Sequence, residues 1–212
     1  MMKKLIVIVF IGLLLSTNAH TDNIKDYKIE NISIGDSALD YFNVTELENG
    51  EQDWFNYSYK EYATSLVSGK GIYDWFKISY KSHDENFIIE GLVGIVVKKK
   101  YDDDKCNKEL DSVALDISEL FKNIKLRKKK IYKVDYNPRK VFQEPGKSGK
   151  STVTNISFDL KDKGKIILSC YDMDKATNQI DSPIKDINQF DTFRIDIRSK
   201  VFKNYLEKVK KK

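Results

Sequence analysis

The spacing of apolar residues changes several times along the chain, and each spacing predicts a type of element. Between residues 57 and 81, apolar and polar residues alternate with a period of two, which is typical of β-strands. Residues 87–97 are apolar at odd and even positions alike, as in a strand that is covered on both faces. We therefore predict strands at 59–67, 73–81 and 87–97.

Two segments carry the three- and four-residue spacing of an amphipathic helix. The longer one covers residues 104–124, and Asp102, Asp103 and Asp104 at its start suit the positive end of the helix dipole. We interpret this acidic triplet as a cap and not as a metal site. The apolar stripes consist of Leu110, Val113, Ala114, Ile117, Leu120, Phe121 and Ile124 in the first helix, and of Phe202, Tyr205, Leu206 and Val209 in the second.

Three further strands are predicted at 151–160, 165–173 and 191–198. In the last one apolar and polar residues alternate, which predicts one face that is exposed to water. Strands joined by tight turns pair antiparallel, and long helices cover a sheet face. The predicted fold is therefore α+β, a mostly antiparallel sheet of about six strands in the order βββα-βββα, with two long amphipathic helices packed on it.

The N-terminus has the three-part pattern of a secretory signal peptide. Lys3 and Lys4 form a basic region, residues 5–15 form an apolar run, and Ala19 occupies the last position before a cleavage site. The apolar run has eleven residues, whereas a membrane-spanning helix needs about 20. We expect export to remove residues 1–19, leaving a periplasmic or secreted protein with no transmembrane segment in the mature chain.

Composition limits the chemistry that the mature chain can perform. Its length suits one α+β domain over residues 20–212, and two His leave little for metal or acid–base chemistry. Two Cys are too few for a disulfide-dense scaffold or a four-Cys zinc site. In an exported protein, Cys106 and Cys170 are expected to form a disulfide, which requires Cα atoms within about 7 Å. The first turn of the 104–124 helix would then lie over the middle of the 165–173 strand.

Residues 35–39 (GDSAL) resemble the first block of the GDSL-type (SGNH) hydrolases. The resemblance implies an esterase or related hydrolase in which Ser37 is the nucleophile. A serine nucleophile needs a His base that is oriented by an acid. The family places its Asp-x-x-His near the C-terminus, but here no His follows His83. We therefore interpret Ser37 as the cap of a short helix that buries Leu39 and Phe42.

Three other local motifs resemble known structural elements. Thr45 and Glu48 match a capping box for a very short helix. Residues 146–151 (GKSGKS) suggest a phosphate loop, but Glu144 stands where that motif requires Gly, and a strand follows instead of a helix. The calcium-loop pattern that starts at Asp172 fails because it has no Gly at its sixth position. We expect no nucleotide, no metal and no cofactor.

Positive charge is concentrated in a basic connector at residues 125–150. This segment has ten Lys or Arg and two acidic residues, which give a net charge of +8. The net charge of the rest of the mature chain is −5. Such a segment can hold phosphate groups or an acidic polymer, although a solvated loop is the simpler interpretation. The candidate anion-binding residues are Lys125, Arg127, Lys128, Lys129, Lys130, Lys133, Arg139 and Lys140.

Four segments resemble a group of small exported proteins from AT-rich marine alphaproteobacteria. They are residues 32–42 (ISIGDSALDYF), 116–123 (DISELFKN), 149–152 (GKST) and 170–172 (CYD). The resemblance runs along most of the mature chain, and the basic connector matches least. It implies export and a shared fold, and it assigns no catalytic residue.

These observations favour a non-enzymatic exported protein that binds an envelope component, either another protein or an anionic polymer. One alternative is a GDSL-like esterase that uses Ser37, with His83 as its base. The other is a polyanion-binding module that uses residues 125–150, whose affinity would fall steeply as salt is added.

The predicted leader gives a first test. Intact-mass analysis of exported protein should show an N-terminus at His20, because small residues precede that position. Ala19→Arg should block processing, and the conservative Ala19→Ser should preserve it. A mature protein that retains Lys3 and Lys4 would contradict the prediction.

Overall fold

Seven antiparallel strands form the main sheet of the computed structural model, and a separate two-stranded hairpin precedes them. The structure describes residues 23–52, 61–98, 103–121, 124–134, 151–173 and 190–209. The predicted signal peptide, residues 1–19, lies outside these ranges. In chain order the elements are β1 (Lys28–Ile29), β2 (Ile32–Ser33), α1 (Val44–Asn49), β3 (Tyr62–Ser68), β4 (Trp75–Lys81), β5 (Gly91–Val97), α2 (Asp103–Leu120), β6 (Lys125–Val134), β7 (Ser151–Asp159), β8 (Lys165–Asp172), β9 (Thr192–Arg198) and α3 (Lys200–Val209).

The main sheet consists of two meanders that meet in its interior. Its strand order is β3-β4-β5-β9-β8-β7-β6. Within each meander, strands that are consecutive in the chain are neighbours in the sheet. The two meanders join where β5 pairs with β9, from Gly91 opposite Arg198 to Val97 opposite Thr192. This topology leaves β3 and β6 as the two edge strands.

One face of the sheet carries most of the hydrophobic core. Helix α2 packs on β7 and β8, and its buried stripe meets apolar side chains from those strands. The N-terminal segment covers the same core, where the rings of Tyr27 and Phe121 lie 6.1 Å apart. Leu110, Phe158 and Ile166 are completely buried. Burial of each such side chain contributes about 1.5–3 kcal/mol.

A disulfide fixes α2 to this face. Cys106 in the first turn of α2 is bonded to Cys170 in β8, and their Cα atoms are 6.1 Å apart. The pair predicted from the sequence is therefore present in the structure, with the helix lying over the strand as expected. The Nζ atom of Lys98, just after β5, adds an ion pair at 2.7 Å to Oε2 of Glu109 in α2.

Helix α3 packs on the opposite face of the sheet, near the β3 end. Its side chains Phe202, Tyr205 and Leu206 form a small cluster with Tyr62 of β3. The ring of Phe202 lies so close to β5 that a Cβ atom at Gly91 would be 2.5 Å from it. A glycine at this position of β5 therefore permits the close approach of the helix.

The fold predicted from the sequence is wrong in its strand number, its order and its helices. The main sheet has seven strands, and four of them lie between α2 and α3. Of the three α-helices in the described ranges, α2 has 18 residues, α3 ten and α1 six, so there are not two long helices. The missed strand is β6, the first part of the basic connector. Lysine is uncommon in strands, and its run here hides any alternation.

Two smaller expectations are also wrong. The second face of β9 is not exposed, because Thr192 is fully buried and Arg194 only 7% exposed. Side chains of the neighbouring strand cover this part of the face, since the guanidinium carbon of Arg194 lies 3.8 Å from the ring centroid of Tyr171 in β8. The capping box of α1 is formed by Asn43 and Glu46, whose side chains bond each other's backbone amides, and not by Thr45 and Glu48.

The disulfide should contribute strongly to stability. The bonded cysteines are 64 positions apart, and closing such a loop restricts the unfolded chain by about 4 kcal/mol in the entropy model. Urea unfolding with and without dithiothreitol should show a loss of this order. The double variant Cys106→Ala/Cys170→Ala should be less stable and insensitive to the reductant. A wild-type unfolding curve that reductant does not shift would contradict the assignment.

Candidate functional site

The Gly-Asp-Ser block that resembles a hydrolase motif is fully engaged in a structural turn. Gly35 has φ +93°, a left-handed conformation that favours glycine, and its amide donates to the carbonyl of Ile89 at 2.8 Å. The Oδ2 atom of Asp36 accepts from the amide of Ser33 at 2.9 Å and from the hydroxyl of Tyr41 at 2.7 Å. Burial, and then this hydrogen bond, raise the pKa of Tyr41 to about 12.

Ser37 is the N-cap of a short 3₁₀ turn at Ala38–Asp40. Its Oγ accepts from the amide of Leu39 at 3.2 Å and donates to the carbonyl of Asn86 at 2.7 Å. A nucleophilic serine directs its proton to a base, whereas this proton goes to a backbone carbonyl. The geometry supports a capping role. Leu39, however, is 39% exposed and not buried as expected.

The acid next to His83 is also engaged in local structure. The two carboxylate oxygens of Asp84 accept from the amides of Asn86 and Ile88, each at 3.0 Å. Asp84 therefore closes the turn between β4 and β5, and neither hydrogen bond orients His83. The arrangement of these residues does not correspond to that of a catalytic triad.

The basic connector supplies a different candidate site, because its first ten residues form the edge strand β6. Six of these ten residues are Lys or Arg, and none is acidic. Two apolar side chains lie among them on the surface, with Leu126 54% and Ile131 70% exposed. The register with β7 shifts between Arg127 and Lys130, a β-bulge, and then runs without interruption to Val134.

The lysines of β6 differ in their surroundings. The Nζ atom of Lys129 lies 2.7 Å from Oδ1 of Asp111 in α2, an exposed ion pair worth about 0–1 kcal/mol. Lys130 and Lys133 are exposed, and no ion pair with either is found among the described residues. Because alternate side chains of a strand point to opposite faces, Lys130 and Lys133 put a positive charge on each face at this edge.

The other candidate anion-binding residues are only partly located. For Lys125, Arg127 and Lys128 the structure describes the backbone in β6 and not the side chains. Arg139 and Lys140 lie outside the described residues, as does the 146–150 part of the phosphate-loop-like segment. The structure therefore brings together Lys129, Lys130 and Lys133 of the predicted set.

Sequence reasoning missed a buried polar row on the face opposite α2. The guanidinium carbon of Arg194 lies 3.8 Å from the ring centroid of Tyr171, and its Nε donates to Oγ1 of Thr192 at 2.8 Å. In the sheet register Ser169 lies between Arg194 and Asn155, and the Oδ1 atom of Asn155 is buried without a hydrogen-bond partner in the described part of the chain. The alternation in 191–198 indicated a polar face that includes Thr192 and Arg194, but it predicted that this face is exposed.

Neither a metal-binding cluster nor a similarity to known proteins identifies a function for the candidate site. Within the described ranges, no group of three His, Cys, Asp or Glu side chains is arranged to hold a metal ion. No described helix has the length and apolar character needed to cross a bilayer. Comparison with family models, with curated proteins and with solved structures found no match. The candidate site therefore rests on geometry and charge.

The capping role of Ser37 can be tested directly. Ser37→Ala should lower the free energy of unfolding by about 1 kcal/mol, as expected for a lost N-cap. Ser37→Asp, which retains a capping acceptor, should recover most of this loss. Hydrolysis of p-nitrophenyl acetate should be the same for wild type, Ser37→Ala and His83→Ala. Loss of ester hydrolysis in the two alanine variants alone would revive the hydrolase hypothesis.

Proposed function

We propose that the mature chain is an exported, non-enzymatic binding module that recognises an acidic envelope component through β6. The observation that carries this proposal is the placement of a strand with six basic residues at the outer edge of the sheet. Lys130 and Lys133 are exposed there and are not neutralised by a described carboxylate. A solvated loop would spread the same charges over many positions, whereas a strand holds them in a fixed row.

The charge balance of the mature chain supports a localised site. Outside the connector the mature residues sum to −5, so the connector is the segment that carries the net positive charge of the mature chain. At physiological ionic strength, charges act over about 8 Å. The surface around β6 therefore determines where such a partner makes contact.

The hydrolase alternative has less support. The hydroxyl of Ser37 and the carboxylate of Asp84 both close local turns, so the residues of that motif are accounted for by folding. The disulfide between Cys106 and Cys170 suits an oxidising compartment. It supports the exported location that the leader predicts.

Charge reversal on β6 provides the test. Lys130→Glu/Lys133→Glu should weaken retention on an immobilised envelope fraction of the producing cells by at least about tenfold at low salt, as expected for a site that acts by charge. Lys70→Glu/Lys81→Glu makes the same charge change near the other end of the sheet and should leave retention unchanged. Thermal unfolding of both variants verifies that they fold. An equal loss of retention in the two double variants would show an effect of net charge and contradict the proposed site.

A further inference from the structure

We infer that β6 accepts an added β-strand: an acidic, extended segment of an envelope protein pairs with its outer edge along residues 130–134. This inference rests on the proposed function and specifies the partner and the mode of binding. Three observations carry it, namely an edge with no strand partner among the described residues, the exposed apolar side chain of Ile131 and the flanking lysines.

The two edges of the sheet differ in their protection. At β3, the amide of Leu66 donates to the carbonyl of Gly50 at 2.7 Å, and the amide of Gln52 donates to the carbonyl of Thr64 at 2.9 Å. The chain itself thus covers that edge. Within the described residues, β6 pairs only with β7. In an antiparallel strand, alternate residues direct their N–H and C=O groups to opposite edges, so 130–134 presents backbone donors and acceptors outward.

The side chains at this edge match a polypeptide better than a polyanion. Ile131 is 70% exposed and lies between the exposed lysines 130 and 133 in an uninterrupted register. An added strand would place its own side chains beside these positions, since opposite residues of paired strands come within about 5 Å. An acidic residue opposite each of the two lysines and an apolar residue opposite Ile131 would complement this edge. A polysaccharide or a lipid headgroup would use the lysines alone.

A second copy of the chain is a poor occupant of the same edge. Antiparallel pairing of two β6 strands would bring Lys130 and Lys133 against the lysines of the other copy. Like charges opposite one another destabilise a strand pair, and lysines on edge strands are a known protection against such pairing. Charge complementarity therefore selects an acidic segment of a different protein.

The test uses the full mature chain and a capped ten-residue probe peptide of Glu and Val. Its central Glu-Val-Val-Glu places Glu opposite Lys130 and Lys133 and Val opposite Ile131. Binding should slow hydrogen exchange of the backbone amides at 129–134 by at least about tenfold, because an added strand ties up the outward-facing groups. A counterpart of the same sequence, N-methylated through its central residues, keeps the charge but lacks the backbone donors. It should bind at least about tenfold more weakly.

Ile131→Thr and heparin separate strand addition from simple charge attraction. Ile131→Thr keeps a β-branched residue and should weaken the Glu/Val peptide several-fold without changing heparin affinity. Val201→Thr, at a 52% exposed position of α3, is the matched control. It should change neither the affinity for the Glu/Val peptide nor the affinity for heparin. Equal binding of the methylated peptide, or no slowing of exchange at 129–134, would overturn strand addition. That result would leave the proposed function supported, provided that retention on the envelope fraction still depended on Lys130 and Lys133.

Discussion

The pairing of β5 with β9 is the contact on which the rest of the structure depends. Each meander is made of neighbouring strands, so its hairpins are local in sequence. Only the register from Gly91 opposite Arg198 to Val97 opposite Thr192 unites them. That contact joins distant parts of the chain, so its loop-closure entropy is the largest among the strand pairs of the sheet. Once made, it buries Leu92 and Ile197 completely and turns β3 and β6 into the outer edges.

The same topology explains the long helix and its disulfide. After β5 the chain must reach β6, four strand spacings away across β9, β8 and β7, a distance of about 19 Å. Helix α2 has 18 residues and spans about 27 Å, so it can make this crossing over the core. Cys106–Cys170 bonds the start of the helix to β8, which fixes the path of the crossing.

Sequence pattern predicts α2 and the disulfide because both depend on local or pairwise signals. The apolar stripe specifies the buried face of the helix, and two cysteines in an exported chain leave one pairing. It fails for β6, where backbone pairing with β7 requires no apolar side chains and the lysines mask the strand. It also fails for Arg194, whose burial depends on which strands are its neighbours. The sequence alone does not decide the role of Ser37, because the same short motif fits a helix cap and a nucleophile. The hydrogen bonds of its hydroxyl distinguish the two roles.

The two edges of the sheet differ in how they are protected, and this difference bears on the proposed function. At β3 the chain folds back and uses its own backbone, beside a segment that exposes Glu46, Glu48 and Glu51. At β6 the described protection is a bulge and a row of lysines, which repels copies of the same edge without blocking its hydrogen-bonding groups. Such protection is selective, because an acidic strand meets attraction where a basic one meets repulsion. If β6 binds the acidic strand that we propose, the same lysines that disfavour pairing of two β6 edges would also select its partner.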